Sequence, residues 1–488
     1  MPQDTIQAEF GITEKTTFAL TTSLLPVGGL LGSLILAPWL VNLLGRRGFL
    51  LASAPIFITA GGLMTASWWV KESSGTAAFG LLLAGRFLAG IGVGGGSVVA
   101  PMYVSEIAPV RFRGAFGSAV QFAVTAGILV VEGLGVVFKR DWVWLFIIST
   151  ALGVAQAFFS LFIVRSPAFL AARGQRADAE DIVCGLHAIG PDDARAVVEG
   201  LSSSRSAGGD RSSPSLLALL RSPVYFFPLV LCMILQVAQQ LSGINAVFFF
   251  STHVFDAAGI DATTGSLVAA GVNIAATGLA VAIVDSAGRR LMLLLSTAGM
   301  MLAAGGLTAC LVLLDAGDKS LATPAIVCVA LYVLFFELGL GPIPWMIGAE
   351  FFPERPRATA MSAAAAVNYI FTFVVAQGFG AMQEALQNWS FLPFAGVLAV
   401  MLVYFLLVLP ETKDRRPGEI LKAMGIDISS EPDLLAEGDD QDDYDHHSDL
   451  DKALIMTDDF VPGRGAVNPG RTYTGSESAH SDPYFGDA

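Results

Sequence analysis

Glu106-Ile107-Ala108-Pro109-Val110-Arg111-Phe112-Arg113 and Glu350-Phe351-Phe352-Pro353-Glu354-Arg355-Pro356-Arg357 are one loop written twice. Each reads Glu-x-x-Pro-x-x-x-Arg, and the second starts 244 positions after the first. A shorter signature keeps the register: Gly45-Arg46-Arg47 returns as Gly288-Arg289-Arg290, 243 positions on. One such match could be chance, but two in the same order at one offset mark an internal duplication. Duplicated halves are a common plan for membrane transport proteins, with the binding site near mid-membrane where the halves meet.

The chain between these loops is apolar. Of 488 residues 54% are hydrophobic and 14% charged, with a mean hydropathy of +0.63. Soluble domains carry about 45–50% apolar and about 25% charged residues, so most of this chain belongs in lipid. Stretches of about 20 apolar residues, enough to cross the hydrocarbon, fall at 17–41, 49–70, 77–101, 116–138, 141–164, 223–250, 262–284, 291–314, 321–348, 359–383 and 388–410. Eleven helical spans are therefore expected. No short apolar run with a cleavage site marks a signal peptide, and no strand-length alternation marks a barrel.

Four scattered cysteines and five histidines give neither a disulfide framework nor a metal centre, and no nucleophile–base constellation accompanies the spans. An enzyme is not expected, nor a metal or other cofactor. The net charge of −14 is mostly a tail effect: from Asp427 onward there are 16 acidic and 3 basic residues. Nucleic acid is not an expected partner. Arg46, Arg47, Arg111, Arg113, Arg289, Arg290, Arg355, Arg357 and Lys413 lie in alternate loops or just after the last span, against only Lys71, Lys139, Arg140 and Lys319 in the others. The positive-inside rule makes the first set, the segment 165–222 and the C-terminus cytoplasmic.

The duplication also permits a subtraction. The second half has a span, 223–250, ahead of the one leading to Gly288-Arg289-Arg290, and its counterpart would fall at or before residue 1. A first helix is thus expected to be missing from a twelve-helix plan; a self-sufficient eleven-span chain is the alternative.

Amides in hydrocarbon are costly unless satisfied, so their positions carry information. Span 223–250 holds Gln236, Gln239, Gln240 and Asn245, interrupted by Ser242-Gly243, and Gln121, Asn273 and Asn368 put one amide on each of three other spans. Amides donate and accept without charge, which suits the vicinal hydroxyls of a neutral polyol. Trp345, in the helix-breaking Gly341-Pro342-Ile343-Pro344-Trp345, could lay its ring on the C–H face of such a ligand. Hydrogen bonding between packed helices is the other use of such amides. Arg86 and Glu337 are charges near or inside spans, and the glycines at 90, 92 and 94–96 either line a cavity or let helices approach closely.

Gly85-Arg86-Phe87, Pro101-Met102-Tyr103-Val104-Ser105-Glu106, Gln239-Gln240-Leu241-Ser242-Gly243-Ile244-Asn245, Gly341-Pro342-Ile343-Pro344-Trp345 and Pro410-Glu411-Thr412-Lys413 resemble the sugar porter branch of the major facilitator superfamily, which contains the facilitative glucose transporters. The likeness spans roughly residues 17–413. It implies an all-α polytopic membrane protein of two helical bundles that rock around a central site. It further implies hexose contacts at Gln121, Gln239, Gln240, Asn245, Asn273, Glu337, Trp345 and Asn368. A cytoplasmic charge network of Glu106, Arg113, Asp285, Arg289, Arg290, Glu350 and Arg357 is also implied, expected as exposed or half-exposed, individually weak ion pairs. The chain departs from the family's pattern at Val164-Arg165-Ser166-Pro167-Ala168, where one acid and one base are lost, and at Tyr369, Thr372 and Phe249-Phe250. The first departure should weaken or rewire the network.

The resulting layout is an N-terminal bundle over 1–164 (five spans), a helical and flexible cytoplasmic loop over 165–222, a C-terminal bundle over 223–413 (six spans), and an acidic, largely disordered tail over 414–488. Leu434-Leu435 and Leu454-Ile455 follow acidic residues in the manner of sorting signals, so sorting or regulatory proteins are candidate tail partners beside the sugar and the bilayer. The expected activity is transport of a hexose or related polyol by alternating access, in the plasma membrane; a non-transporting nutrient sensor on the same fold is the alternative.

Overall fold

A computed structural model describes residues 15–108, 113–138, 141–187, 189–206, 214–248, 262–413 and 415–429. All regular structure among them is helical. Nine of the described helices are long and apolar enough to cross a membrane, rather than the eleven expected. The difference arises at both ends of the chain. The first two expected stretches run together: α1 (Lys15–Leu31) passes through a π-helical turn (Gly32–Leu36) into α2 (Ala37–Val70), so that Leu20–Val70 is one apolar stretch of 51 residues. At 1.5 Å per residue that is about 75 Å, over twice the hydrocarbon thickness. Its break is a single residue, Gly45, at φ 74° and ψ −176°. Glycine adopts that backbone without penalty, and helical pairing resumes on either side. At the other end the last apolar helix, α16 (Leu392–Val408), has only 17 residues.

Between these lie α3 (Gly75–Ile107), α4 (Arg113–Val137), α5 (Val143–Ser160), α10 (Phe226–Leu241), α11 (Ala262–Ala287), α12 (Arg289–Asp315), α13 (Ala322–Leu338), α14 (Ile343–Phe351) and α15 (Glu354–Leu386). Short helices fill the cytoplasmic segment, as its alanine- and charge-rich composition implies: α6 (Pro167–Ala172), α7 (Arg176–His187), α8 (Pro191–Ser206) and α9 (Leu216–Arg221). Helix α8 runs to Ser206 within the loop expected to be helical and flexible, supported by Pro191 at its start and by Asp192 and Asp193 in its first turn. Leu170, Ala179, Val183, Ala194 and Val198 give this segment a small core of its own. Helix α17 (Pro417–Ala423) follows the last span and buries Ile420 and Leu421 in the main core. The acidic tail beyond Ser429, with its leucine pairs and histidines, lies outside the described residues, as do Phe249 and Phe250.

Local chemistry sets several boundaries. The Ser74 hydroxyl accepts from the Ala77 N–H to start α3, and Ser166 and Ser215 do the same for α6 and α9. The span 322–351 is broken between Leu338 and Ile343, where Pro342 and Pro344 cannot donate to a helical ladder. Of the two uses open to the α3 glycines, close helix approach is the one seen at Gly94: a Cβ there would stand 2.0 Å from the Gly29 carbonyl oxygen of α1, and one at Gly32, in the π-helical turn, would stand 2.1 Å from that of Ile91. The two backbones touch, which van der Waals packing in lipid rewards.

Helices α2, α3 and α5 pack together, as do α12, α13 and α16. The helices before residue 165 meet those after residue 222 along two seams, α4 against α11 and α1 with α3 against α15.

Candidate functional site

The break between α13 and α14 leaves backbone carbonyls without helical donors, and α10 supplies them. Gln239 Nε2 donates to the carbonyls of Leu340 and Gly341, both at 2.7 Å, and Gln236 Nε2 to that of Pro344 at 3.3 Å. The acceptor ends of the same two side chains take hydrogen bonds from Asn368 Nδ2 on α15, both at 2.7 Å. Gln240 Nε2 donates to Asn368 Oδ1 at 3.1 Å, and Asn245 Nδ2 to Gln240 Oε1 at 3.0 Å. Gln236, Gln239, Gln240 and Asn368 are all under 9% exposed. Five amides thus form one connected, uncharged chain beside a proline-broken helix. Interhelical hydrogen bonding, the second use of amides, engages the amide nitrogens of Gln236, Gln239, Gln240 and Asn368, while Asn245 donates within its own segment.

Two further expected positions form a pair between the halves, beside the first seam: Gln121 Nε2 on α4 donates to Glu337 Oε2 on α13 at 3.2 Å. Asn273 on α11 is buried, and no hydrogen-bond donor reaches its Oδ1. Trp345 does not join the amide chain; it packs against the cluster of Phe49, Val98, Met102, Met361 and Ala365, in the second seam. That seam is also bridged by Tyr369, which donates to Ser97 Oγ at 3.2 Å, and by a Gln377–Ser23 hydrogen bond.

The charge network appears twice, as the duplication demands. Arg46 pairs with Glu106, whose other oxygen accepts from Ser166 Oγ at 2.5 Å. Arg289 Nε donates to Glu350 at 3.1 Å, and the other oxygen of Glu350 accepts from Thr412 Oγ1 at 2.5 Å. Against the exposed or half-exposed bridges expected, three of these four side chains are buried and only Glu350 is half-exposed. The side chains of Arg46 and Glu106 are 7% and 4% exposed, those of Arg289 and Glu350 8% and 21%. Loss of one partner would strand a desolvated charge. Arg290 donates to the Leu406 carbonyl at 2.8 Å and Arg357 to that of Phe352 at 3.1 Å, so both arginines hold backbone. The side chains of Arg113 and Asp285 lie outside the described residues.

The copies differ at one point. Glu411 accepts from the backbone N–H groups of Arg289 (3.0 Å), Arg290 (3.1 Å), Thr412 (2.9 Å) and Lys413 (2.9 Å), capping the start of α12. The position before Ser166, matching Glu411 before Thr412, is Arg165. A Cβ on Gly45 would meet the Phe169 ring at 2.7 Å, just where one on Gly288 would meet the Glu411 carboxylate at 2.7 Å. The first copy is rewired through Arg47, donating to the Leu161 carbonyl at 2.6 Å, and Arg173, donating to that of Leu43 at 2.6 Å. Ser166, Thr412 and Glu411 were not singled out as network members from sequence, because here the halves are 246 positions apart and a register fixed at 244 sets Ser166 against Pro410.

The family described as Sugar (and other) transporter matches residues 3–422. The chain is 36% identical over 420 residues to solute carrier family 2, facilitated glucose transporter member 4 from Mus musculus, covering 84% of this chain and 80% of the relative. It is 32% identical over 414 residues to facilitated glucose transporter member 1 from Gallus gallus, covering 84% and 82%. Among solved structures it superposes on the major facilitator superfamily proton:xylose symporter XylE bound to 6-bromo-6-deoxy-D-glucose, with a TM-score of 0.74, 22% identity and coverage of 86% and 92%. Against an inward open conformation of the xylose transporter XylE from E. coli the TM-score is 0.63, at 22% identity and coverage of 84% and 88%.

Proposed function

The chain belongs to the Sugar (and other) transporter family, and from that premise we propose that it moves a hexose or related polyol by alternating access. It is a multi-pass membrane protein with the major facilitator fold. The observation that carries the substrate class is the amide chain Gln236–Gln239–Gln240–Asn245–Asn368, which can exchange its internal partners for hydroxyls without trapping a charge. In this reading Gln121, Glu337 and Asn273 face the same ligand from α4, α13 and α11, and Trp345 offers an aromatic face from the seam. The relatives named as glucose transporters favour a hexose.

The rocking units of this reading are residues 1–164 and 223–413, joined by 165–222, with residues 414–488 as a cytoplasmic tail open to sorting or regulatory proteins. Each arginine–glutamate pair braces the cytoplasmic end of its own unit, and together with Arg113, Asp285, Arg290 and Arg357 they form the gating network of this reading. The plasma membrane is the proposed location. Relatives and fold neighbours with transporter names leave the sensor reading without support of its own.

The test is uptake of radiolabelled glucose, fructose and inositol in transporter-null cells expressing the chain. Saturable uptake of one, competed by unlabelled ligand, is the expected result. Surface-expressed protein that binds a sugar yet passes none would overturn the reading.

A further inference from the structure

Helix α4 carries a carboxylate that the site above does not use. Glu132 sits in Gly127-Ile128-Leu129-Val130-Val131-Glu132-Gly133-Leu134, inside the span Ala119–Val137. It is half-buried, and its Oε2 is enclosed and reached by no hydrogen-bond donor. At about 100° per residue Glu132 falls within about 40° of Gln121 and Thr125 on the helix wheel. Thr125 is 1% exposed, and Gln121 reaches across to Glu337, so this face of α4 is the one that meets the second half of the chain. Glu132 lies about 16 Å along the helix from Gln121, away from the arginine loops.

Helices α11, α3, α14 and α5 pack on α4. Their titratable or charged residues are Asp285 on α11, Arg86, Tyr103 and Glu106 on α3, and Glu350 on α14; α5 has none. Asp285, Tyr103, Glu106 and Glu350 belong to the arginine-loop end, and Arg86 is eleven residues into α3, closer to mid-span. Glu337 of α13 is engaged with Gln121. Asp261, Lys139 and Arg140 adjoin this end outside the described residues. An ionised carboxylate whose oxygen no donor reaches is costly in an apolar span, and a bound proton removes that charge.

We propose that Glu132 is a proton-binding site of the transport cycle, neutral while the α4–α11 seam is closed as in this structure and ionised when that seam opens and water enters. The proposal rests on the transport reading above. A proton held more tightly by the closed state makes lower pH favour closure, so the uptake rate depends on the outer pH through this residue. The acid itself is the proton donor, and nothing is oxidised or reduced.

The experiment uses the full chain in proteoliposomes. Sugar uptake is measured at an outer pH of about 5.5 and about 7.5, a range over which carboxyls in apolar sites exchange their protons. In parallel, dicyclohexylcarbodiimide, which adds to protonated carboxyls in apolar surroundings, is applied at both pH values and its adduct on Glu132 quantified by mass spectrometry. Uptake that differs several-fold between the two pH values, a flat profile in Glu132→Gln, and Glu132 labelling that declines with rising pH are expected. Flat wild-type uptake, or an unchanged pH profile in Glu132→Gln, would overturn the proposal and leave transport standing. If the wild type passes no sugar, the transport reading fails on its own, and absent labelling at both pH values then removes the proton site too. The labelling uses wild-type protein, so a misfolded variant does not remove the test.

Discussion

Gln239 commits both amide hydrogens to carbonyls that a proline break has released, and its oxygen to Asn368. Gln239→Ala therefore strands two buried acceptors and a donor at about 1–3 kcal/mol each before relaxation. Uptake is expected to vanish and the unfolding midpoint to fall by several degrees while the protein still inserts; surface labelling, uptake and thermal unfolding read the three. Normal uptake by an inserted variant would remove Gln239 from the site. Tyr369 makes a different prediction. Tyr369→Phe and Ser97→Ala each delete the same bond across the seam, worth about 1 kcal/mol. Their effects on transport rate should be non-additive in a double-mutant cycle, and simple additivity would show that the bond does not bear on closure. The amide residues were legible in the sequence because amides are rare in lipid-facing helices. Their partners were not, since a sequence does not reveal that α10 faces the carbonyls released at Leu340 and Gly341. Trp345 was legible as an aromatic beside a break, but its place in the seam depends on Phe49 and Met102, far away in the chain.

At the level of the helix, Gly45 and Gly288 are the same reversal, held in two ways. The Glu411 carboxylate caps α12, and the Phe169 ring covers Gly45. Glu411→Ala should speed amide hydrogen exchange at Arg289 and Arg290 about tenfold or more, since loss of a charged cap costs about 1–2 kcal/mol. Arg165→Ala should leave exchange at Arg46 and Arg47 nearly unchanged; equal effects at both sites would show that the copies are braced alike. Most helices could be read from the sequence because about 20 apolar residues have few other fates. The merger across Gly45 could not: a one-residue reversal and a short loop share the same glycine and arginines.

For the molecule as a whole, two seams join the halves, and motion that admits ligand from either side must separate the helices along some stretch of them. Ser23 on α1 and Gln377 on α15 touch across the second seam. A Ser23→Cys, Gln377→Cys pair oxidised to a disulfide should arrest uptake, and reduction should restore it. Full uptake by the cross-linked protein would mean that α1 and α15 stay together throughout the cycle. The duplication was plain in the sequence because paired loops keep one offset, whereas the closed seam was not, because one sequence must serve every stage of the proposed cycle.

If the amide chain holds the sugar as proposed, it sets a limit on grip. Its donors already have acceptors within the protein, so an entering sugar gives up the hydration of its hydroxyls and breaks internal bonds to make new ones. Such an exchange leaves a small surplus. A surplus of about 4 kcal/mol corresponds to millimolar dissociation, and with ordinary association rates the bound sugar leaves within about a millisecond. A carrier built on the proposed site would serve abundant nutrient and fast turnover; scavenging a scarce one would call for amides left waiting.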